Sequence, residues 1–413
     1  MARTVIVGAS VGGVRTAQAL RAAGYPGEIA LIGDEDVPPY DKPPLSKALL
    51  AGTATLDSVG LLTAEAAAAA GIELVLGSPA TRLDRKQHQV LLADGTAEPY
   101  DALVIATGAR PRPSPWGTPR GVHVVRTLAD ARALAAALRA GGPLVVVGAG
   151  FIGAEVAATA LGLGLDDVTV VDPMSVPLSR VLNPEVATIF GTLHAERGVS
   201  ARFGVGVTDI REIPAGLEVG LDDGTVLPAA TVVVGIGAVP NDDWLADSGI
   251  ATEDGVLCDR FCRSVSDPHV WAVGDVSRWW HPGHGQTMRL EHWTNAVEQA
   301  VVVAHNITHP HELRSHAPVE YVWSDQYDWK IQLVGRTGGE LAHVRVDGTN
   351  PHRSFAVLYS DESDRFVGAL VVNWPKALIT CRRVLTKTAT EPAPVGQVHT
   401  LVENARPPAR AAS

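Results

Sequence analysis

The residue pattern in this chain best suited to chemistry is the run Gly148-Ala149-Gly150-Phe151-Ile152-Gly153. It fits G-x-G-x-x-G, follows the apolar stretch Leu144-Val145-Val146-Val147, and opens a helix-like segment that reaches about Leu163. In that setting Gly148 permits a tight turn, Gly150 lets backbone approach a pyrophosphate, and Gly153 lets helix and strand pack closely. Asp172 follows Gly153 by about 20 residues, the spacing at which a carboxylate meets a ribose 2′-hydroxyl and repels a 2′-phosphate, favouring NADH. Arg180, a little further on, is a counter-signal. A second loop, Gly8-Ala9-Ser10-Val11-Gly12-Gly13, has Ser10 where the middle glycine would stand, and Asp34 and Glu35 follow at comparable spacing. Each loop can also be read as an ordinary strand-to-helix turn of an α/β sheet.

Other reactive side chains point elsewhere. Cys258 and Cys262 have C-x-x-x-C spacing, but a redox dithiol needs a thiolate of lowered pKa, typically at a helix N-terminus. These two fall in a strand-like stretch, so the dithiol reading is rejected. Three cysteines in all support neither a disulfide framework nor a cysteine-rich metal site, and they fit a reducing compartment. His281, His284, His309 and His311 lack carboxylate or thiol neighbours at ligand spacing and read as loop histidines.

The elements that must position the loops follow from hydrophobic runs. Thr4-Val5-Ile6-Val7, a helix from about Gly12 to Ala23, and Ile29-Ala30-Leu31-Ile32 form a βαβ unit. Leu144–Val147, the following helix and Val168-Thr169-Val170-Val171 repeat it. Ala102–Gly108 and Thr231–Gly237 look alike and close each unit as a later strand. Continuous apolar strands belong to a parallel sheet buried on both faces. Beyond about residue 314, Phe355–Tyr359 and Phe366–Val372 read as antiparallel strands, with a helix after Pro375, so a third, α+β domain is expected. The stretch 391–413, rich in Pro, Ala and Arg, reads as a disordered tail.

Composition bounds the function. The net charge of −11 argues against nucleic acid or an anionic membrane as partner. No apolar run is long enough to span a bilayer, and the N-terminus lacks a signal-peptide pattern, so a cytoplasmic location is expected. Two dinucleotide folds in one chain suggest one bound flavin and one exchangeable nicotinamide.

The sequence resembles the FAD-dependent, NADH-utilising ferredoxin reductases that serve cytochromes P450 and Rieske oxygenases, relatives of apoptosis-inducing factor. The resemblance rests on the first loop, Pro39-Tyr40-Asp41-Lys42-Pro43-Pro44-Leu45-Ser46-Lys47, Ala106-Thr107-Gly108, the second loop with Glu155, Ala272-Val273-Gly274-Asp275, Glu291-His292-Trp293, and Trp323-Ser324-Asp325-Gln326-Tyr327. It implies an α/β fold with two Rossmann-like domains arranged as in glutathione reductase, plus the C-terminal α+β domain. The FAD domain would comprise 1–112 and 240–313, the NADH domain 113–239, the third domain 314–390, and the tail 391–413.

By the same resemblance Gly8, Ser10, Gly12 and Gly13 meet the FAD pyrophosphate, Asp34 and Glu35 the adenosine ribose, Lys42 the phosphates, Ala80 the adenine and Arg126 the flavin side. Asp275 holds the ribityl chain, and Trp293 and Trp323 lie beside the isoalloxazine. Glu291 and His292 lie near nicotinamide and flavin. The NADH set is Gly148, Gly150, Phe151, Ile152, Gly153, Asp172 and Gly237. Lys47, paired with Glu155, stands at flavin N5 as the catalytic pair. Phe151 replaces a usual tyrosine, and Trp374 replaces a usual arginine expected near the flavin edge. The implied activity is hydride transfer from NADH to FAD, then single electrons to an iron–sulfur ferredoxin, with no metal site in the chain itself. The alternatives are an NADH oxidase or quinone reductase, and a redox-sensing flavin-binding protein.

Overall fold

Arg3–Val7 and Leu144–Val147, the runs that precede the glycine loops, each become the central strand of a five-stranded parallel sheet in a computed structural model that describes residues 2–387 and 393–406. The chain divides into two units. The first holds residues up to Lys42, Thr55–Arg110 and Ala238–Pro318; the second holds Pro43–Ala54, Pro111–Gly237 and the described residues from Val319 onward.

In the first unit the strand order is Val270–Ala272, Ala102–Ile105, Arg3–Val7, Glu28–Ile32, Ile72–Val75. Val7 is level with both Ile32 and Ile105, so the neighbouring strands end together just where Gly8 begins its turn. In the second unit the order is Val122–His123, Thr231–Val234, Leu144–Val147, Val168–Asp172, Ser200–Phe203, and Val147 is level with Val171 and Val234. The duplication expected from the repeated sequence pattern is therefore present strand for strand. Only the outermost place differs, being filled by later chain in one unit and by earlier chain in the other. Each unit also carries a three-stranded antiparallel sheet, Ala80–Asp84 with Gln89–Leu92 and Ala97–Pro99, and Val207–Ile213 with Gly216–Leu221 and Val226–Ala229.

The C-terminal part of the second unit is an antiparallel sheet in the order Tyr321–Gln326, Trp329–Gly335, Phe366–Val372, Phe355–Ser360, Ala342–Asp347. Its central strands are buried on both faces, which is why they read as unbroken apolar runs. Phe355, Val357 and Tyr359 pack towards helix Pro184–Glu196, while Ala356 and Leu358 pack towards helices Pro375–Lys387 and Val395–Glu403. That is the two-residue alternation of a strand.

Three expectations are corrected. Residues 395–403 form a helix that buries Val398 and Val402 completely, so this stretch of the expected tail is core-forming; 388–392 and 407–413 lie outside the described residues. Pro43–Ala54 groups with the second unit instead of the first Rossmann-like sheet, because Leu50 is buried with Leu134, Leu138 and Val156, and Thr159 Oγ1 donates to Ser46 O. Trp374 lies in the core under the C-terminal helices, 3% exposed, where its ring packs with Val398 and Val402 and no solvent-facing edge is left for it to occupy.

Candidate functional site

The first glycine loop is shaped by close backbone crossings. Gly8 has φ +115°, its N–H donates to Ile32 O, and a Cβ there would lie 2.1 Å from Ala106 O. A Cβ on Gly13 would lie 1.9 Å from Gly8 O, so helix Val11–Ala22 can start against the strand end only with glycine there. Ser10 is the N-cap but makes no side-chain capping bond, so its side chain satisfies none of the first-turn N–H groups of the helix. The Ala106–Gly108 strand end and Val273 border the loop, with the Val273 side chain 3.2 Å from where a Gly12 Cβ would stand. Asp275 follows in a short 3-10 turn whose Gly274 N–H donates to Gln299 Oε1 at 2.7 Å. Ala80 begins the antiparallel sheet of the same unit.

The second loop repeats these crossings. Gly148 has φ +106°, its N–H donates to Val171 O, and its Cβ would lie 2.3 Å from Gly235 O; that of Gly153 would lie 2.0 Å from Gly148 O. Gly150, the N-cap of helix Phe151–Gly162, faces open space and offers no side-chain cap. Asp172 turns inward at the strand end: Ala149 N–H donates to one of its oxygens at 2.7 Å and Met174 N–H to the other at 2.8 Å. The Arg180 guanidinium lies 3.1 Å from the position a Gly237 Cβ would take, which puts a cation beside one of the expected NADH-site glycines. Phe151 begins the helix and packs against the cluster around Leu178 and Tyr359; Ile152 beside it is exposed.

Glu155 is the most unusual group nearby. It is 2% exposed, on the helix that starts at the second loop, and its Oε2 lies 2.8 Å from Lys47 Nζ. Ser46 Oγ also donates to Oε2, while Ser324 Oγ donates to Oε1 at 2.7 Å. Gln326 Nε2 in turn donates to Ser324 Oγ at 3.2 Å. A buried carboxylate is tolerable when paired and fully hydrogen-bonded, and this one is. Pro43 and Pro44 begin the 3-10 turn Pro43–Ser46 that delivers both Ser46 and Lys47. Trp323, beside Ser324, stacks on Tyr321 with centroids 6.1 Å apart, and the Arg382 guanidinium lies 4.7 Å from the Tyr321 ring centre.

Two folds containing these loops, one followed by an antiparallel C-terminal sheet, match known proteins over nearly their whole length. Residues 2–300 match the family described as pyridine nucleotide-disulphide oxidoreductase, and residues 321–398 match the reductase C-terminal family. The chain belongs to the pyridine nucleotide-disulphide oxidoreductase family. It is 38% identical over 384 residues to the rhodocoxin reductase of Rhodococcus erythropolis, covering 92% of this chain and 88% of that protein. It is 38% identical over 389 residues to the ferredoxin–NAD(+) reductase component of the anthranilate 1,2-dioxygenase system of Burkholderia cepacia, covering 93% and 94%. Among solved structures, the covalent putidaredoxin reductase–putidaredoxin complex is similar with a TM-score of 0.90 and 35% identity, over 96% of this chain and 95% of that one.

The geometry suits the family's FAD and NAD(H): each unit presents a glycine crossing, a helix start without a side-chain cap and an acidic residue at the next strand end. The expected site residues divide between the units. The first holds Gly8, Ser10, Gly12, Gly13, Asp34, Glu35, Lys42, Ala80, Asp275, Glu291, His292 and Trp293; the second holds Lys47, Arg126, Gly148, Gly150, Phe151, Ile152, Gly153, Glu155, Asp172, Gly237 and Trp323. Glu35, expected at a ribose, accepts from Tyr40 Oη at 2.7 Å and pairs with Lys42 Nζ at 2.8 Å. Glu291 pairs with Arg289 at 2.8 Å, and Arg126 directs its backbone N–H to Asp130 at the start of helix Leu128–Ala140. Trp293 Nε1 donates to Asp41 Oδ1 at 2.7 Å. Burial pushes the Asp41 carboxyl upward, partly offset by that bond and by the positive charge of Arg15.

Sequence reasoning missed Ser46, Ser324, Gln326 and Asp41, although all four stand inside motifs it quoted. For Ser324 and Gln326 a signal existed, since polar residues two apart on one strand share a face. The dithiol reading finds no support in the structure. Cys258 and Cys262 are free and buried, and burial raises both thiols well above their ordinary range. His281 is no loop residue: it ends strand Ser277–His281, accepts from the backbone N–H groups of Gly283 and His284, and its Nε2 lies 3.2 Å from Pro318 O.

Proposed function

We propose that the chain is an NADH-dependent, FAD-containing ferredoxin reductase that supplies single electrons to a small iron–sulfur protein, which serves a cytochrome P450 or Rieske oxygenase. The observation that carries this reading is the buried Glu155–Lys47 pair on the helix opened by the second glycine loop. FAD, when bound, supplies the conversion between a two-electron hydride and one-electron transfer. The chain's own residues then bind and orient. The first loop and Asp275 would hold the FAD pyrophosphate and ribityl chain, with Glu35 and Lys42 already locked together beside Asp34. The second loop would take the NADH pyrophosphate at its uncapped helix start, with Asp172 at the ribose and Arg180 at the phosphates. Lys47 would set a positive charge where the reduced flavin ring becomes negative, and Glu155 would fix that ammonium in place.

Names of relatives support the acceptor class, since they include a rhodocoxin reductase, a dioxygenase reductase component and a putidaredoxin reductase joined to putidaredoxin. A cytoplasmic site of action accords with three buried free cysteines and with no helix, among the described residues, long and apolar enough to cross a membrane. The test is anaerobic mixing with NADH followed by turnover assays. The visible flavin band should bleach, and cytochrome c reduction should depend on added ferredoxin. Rapid turnover with oxygen or a quinone alone would establish an oxidase instead, and a slow, long-lived reduced form would favour a sensor.

A further inference from the structure

Glu155 Oε2 receives two donors, Lys47 Nζ and Ser46 Oγ, both from the Pro-Pro-Leu-Ser-Lys turn. Oε1 receives one, Ser324 Oγ at 2.7 Å, and Ser324 comes from the distant strand Tyr321–Gln326 of the C-terminal sheet. Ser324 is fully buried, so water does not replace it. Its own proton is directed by what lies behind it. A serine hydroxyl has a single proton, and Ser324 Oγ accepts from Gln326 Nε2, which leaves that proton for Glu155. Gln326 is fully buried too, and its Oε1 meets no hydrogen-bond partner among the described residues. A buried amide left half-satisfied costs free energy, so the site is built around the Nε2 contact at the expense of the other end.

We propose that Ser324, oriented by Gln326, is a positioning residue for the Glu155–Lys47 pair. The C-terminal sheet thereby supplies the last hydrogen bond of the catalytic machinery as well as covering it. With the hydroxyl gone, Oε1 lies buried without a donor, the carboxylate turns towards its remaining partners, and the Lys47 ammonium moves with it. The inference rests on the reading of Lys47 and Glu155 in the proposed function. It goes beyond that reading in assigning a role to the third domain.

The experiment compares holoenzyme carrying Ser324→Ala, Ser324→Thr, Glu155→Gln, and Ser324→Ala with Glu155→Gln. Ser324→Ala should slow the limiting rate of flavin reduction about tenfold, the scale of one hydrogen bond to a charged group. The NADH concentration for half-maximal rate should stay unchanged, because the hydroxyl bonds Glu155 and no atom of the nucleotide loop. The midpoint potential of the bound flavin should shift negative. Ser324→Thr, which keeps the hydroxyl, should restore rate and potential. In the Glu155→Gln background Ser324→Ala should change neither further. Wild-type rate and potential in Ser324→Ala, or an equal fractional loss with and without Glu155, would overturn the proposal.

Thermal melting of the wild type, Ser324→Ala, Glu155→Gln and the double variant separates the two readings. If NADH fails to reduce even the wild-type flavin, the proposed function falls, yet the melting cycle still decides this point. Non-additive losses for Ser324→Ala and Glu155→Gln support the clamp. Additive losses overturn it.

Discussion

Both oxygens of Asp172 are engaged by backbone, one by Ala149 N–H of the glycine loop and one by Met174 N–H of the following turn. The same carboxylate that would greet a ribose therefore also braces the loop that would hold the pyrophosphate. Asp172→Asn separates these contributions. An asparagine side chain keeps one acceptor oxygen but loses the negative charge, so it can still serve one of the two N–H groups. The loss of one such bond is worth about 1 kcal/mol of stability. Loss of the charge removes repulsion towards a 2′-phosphate. The ratio of kcat/KM for NADPH to that for NADH should rise about tenfold, the scale of a single charge contact. An unchanged ratio with a lowered Tm would make Asp172 a loop brace and no more.

Helix Pro184–Glu196 shows how an element of the second unit is fixed and what titrates it. It packs Val186, Phe190 and Leu193 against Trp329, Phe355 and Tyr359 of the C-terminal sheet, and its His194 Nδ1 lies 2.7 Å from Tyr327 Oη. Arg197, just past the helix end, pairs with Asp328, which Arg353 also reaches at 2.5 Å. His194 is 1% exposed, and burial pushes its pKa down to about 4. In the unfolded chain it would titrate near 6.5, so between those values the unfolded state binds the extra proton. Stability from this group is complete above pH ~6.5 and is lost as pH falls towards 4, by about 3 kcal/mol. His316 in the first unit, pushed down to about 3 by burial and by His281, acts in the same direction. The expected outcome is a Tm that falls steadily on acidification through this window, with a shallower slope in His194→Gln. An identical slope in the variant would mean that His194 is protonated without cost.

The two glycine loops and their strands were legible because strand-end glycines and β-branched runs are local signals. The Glu155 network and the helix Val395–Glu403 were not. Ser46, Glu155 and Ser324 are more than a hundred residues apart in sequence and become neighbours only when the sheets close. Val398 and Val402 sit in a segment whose Pro and Ala content hid a two-turn apolar stripe that the C-terminal sheet completes.

For the whole molecule, membership of a family described by disulphide chemistry raises the question of how many electrons the chain can store. A flavin next to a redox-active dithiol takes up four electrons per subunit, and a flavin alone takes up two. The dithiol needs an accessible thiolate, which means a thiol pKa lowered by a helix N-terminus or a nearby cation. Cys258 lies on strand Val256–Cys258, and Cys262 follows it in a buried turn at φ +63°. Desolvation raises both thiols, and nearby Asp259 pushes in the same direction. Cys381 is buried in the C-terminal core, its thiol pushed up to about 12. All three cysteines are therefore packing residues, and the electron store reduces to the flavin. An anaerobic titration should reach its endpoint at one NADH per flavin. Thiol reagents such as iodoacetamide should leave the native enzyme's turnover unchanged while labelling three cysteines after denaturation. A second equivalent of NADH consumed, or a charge-transfer band appearing on partial reduction, would show that Cys258 and Cys262 exchange electrons with the flavin.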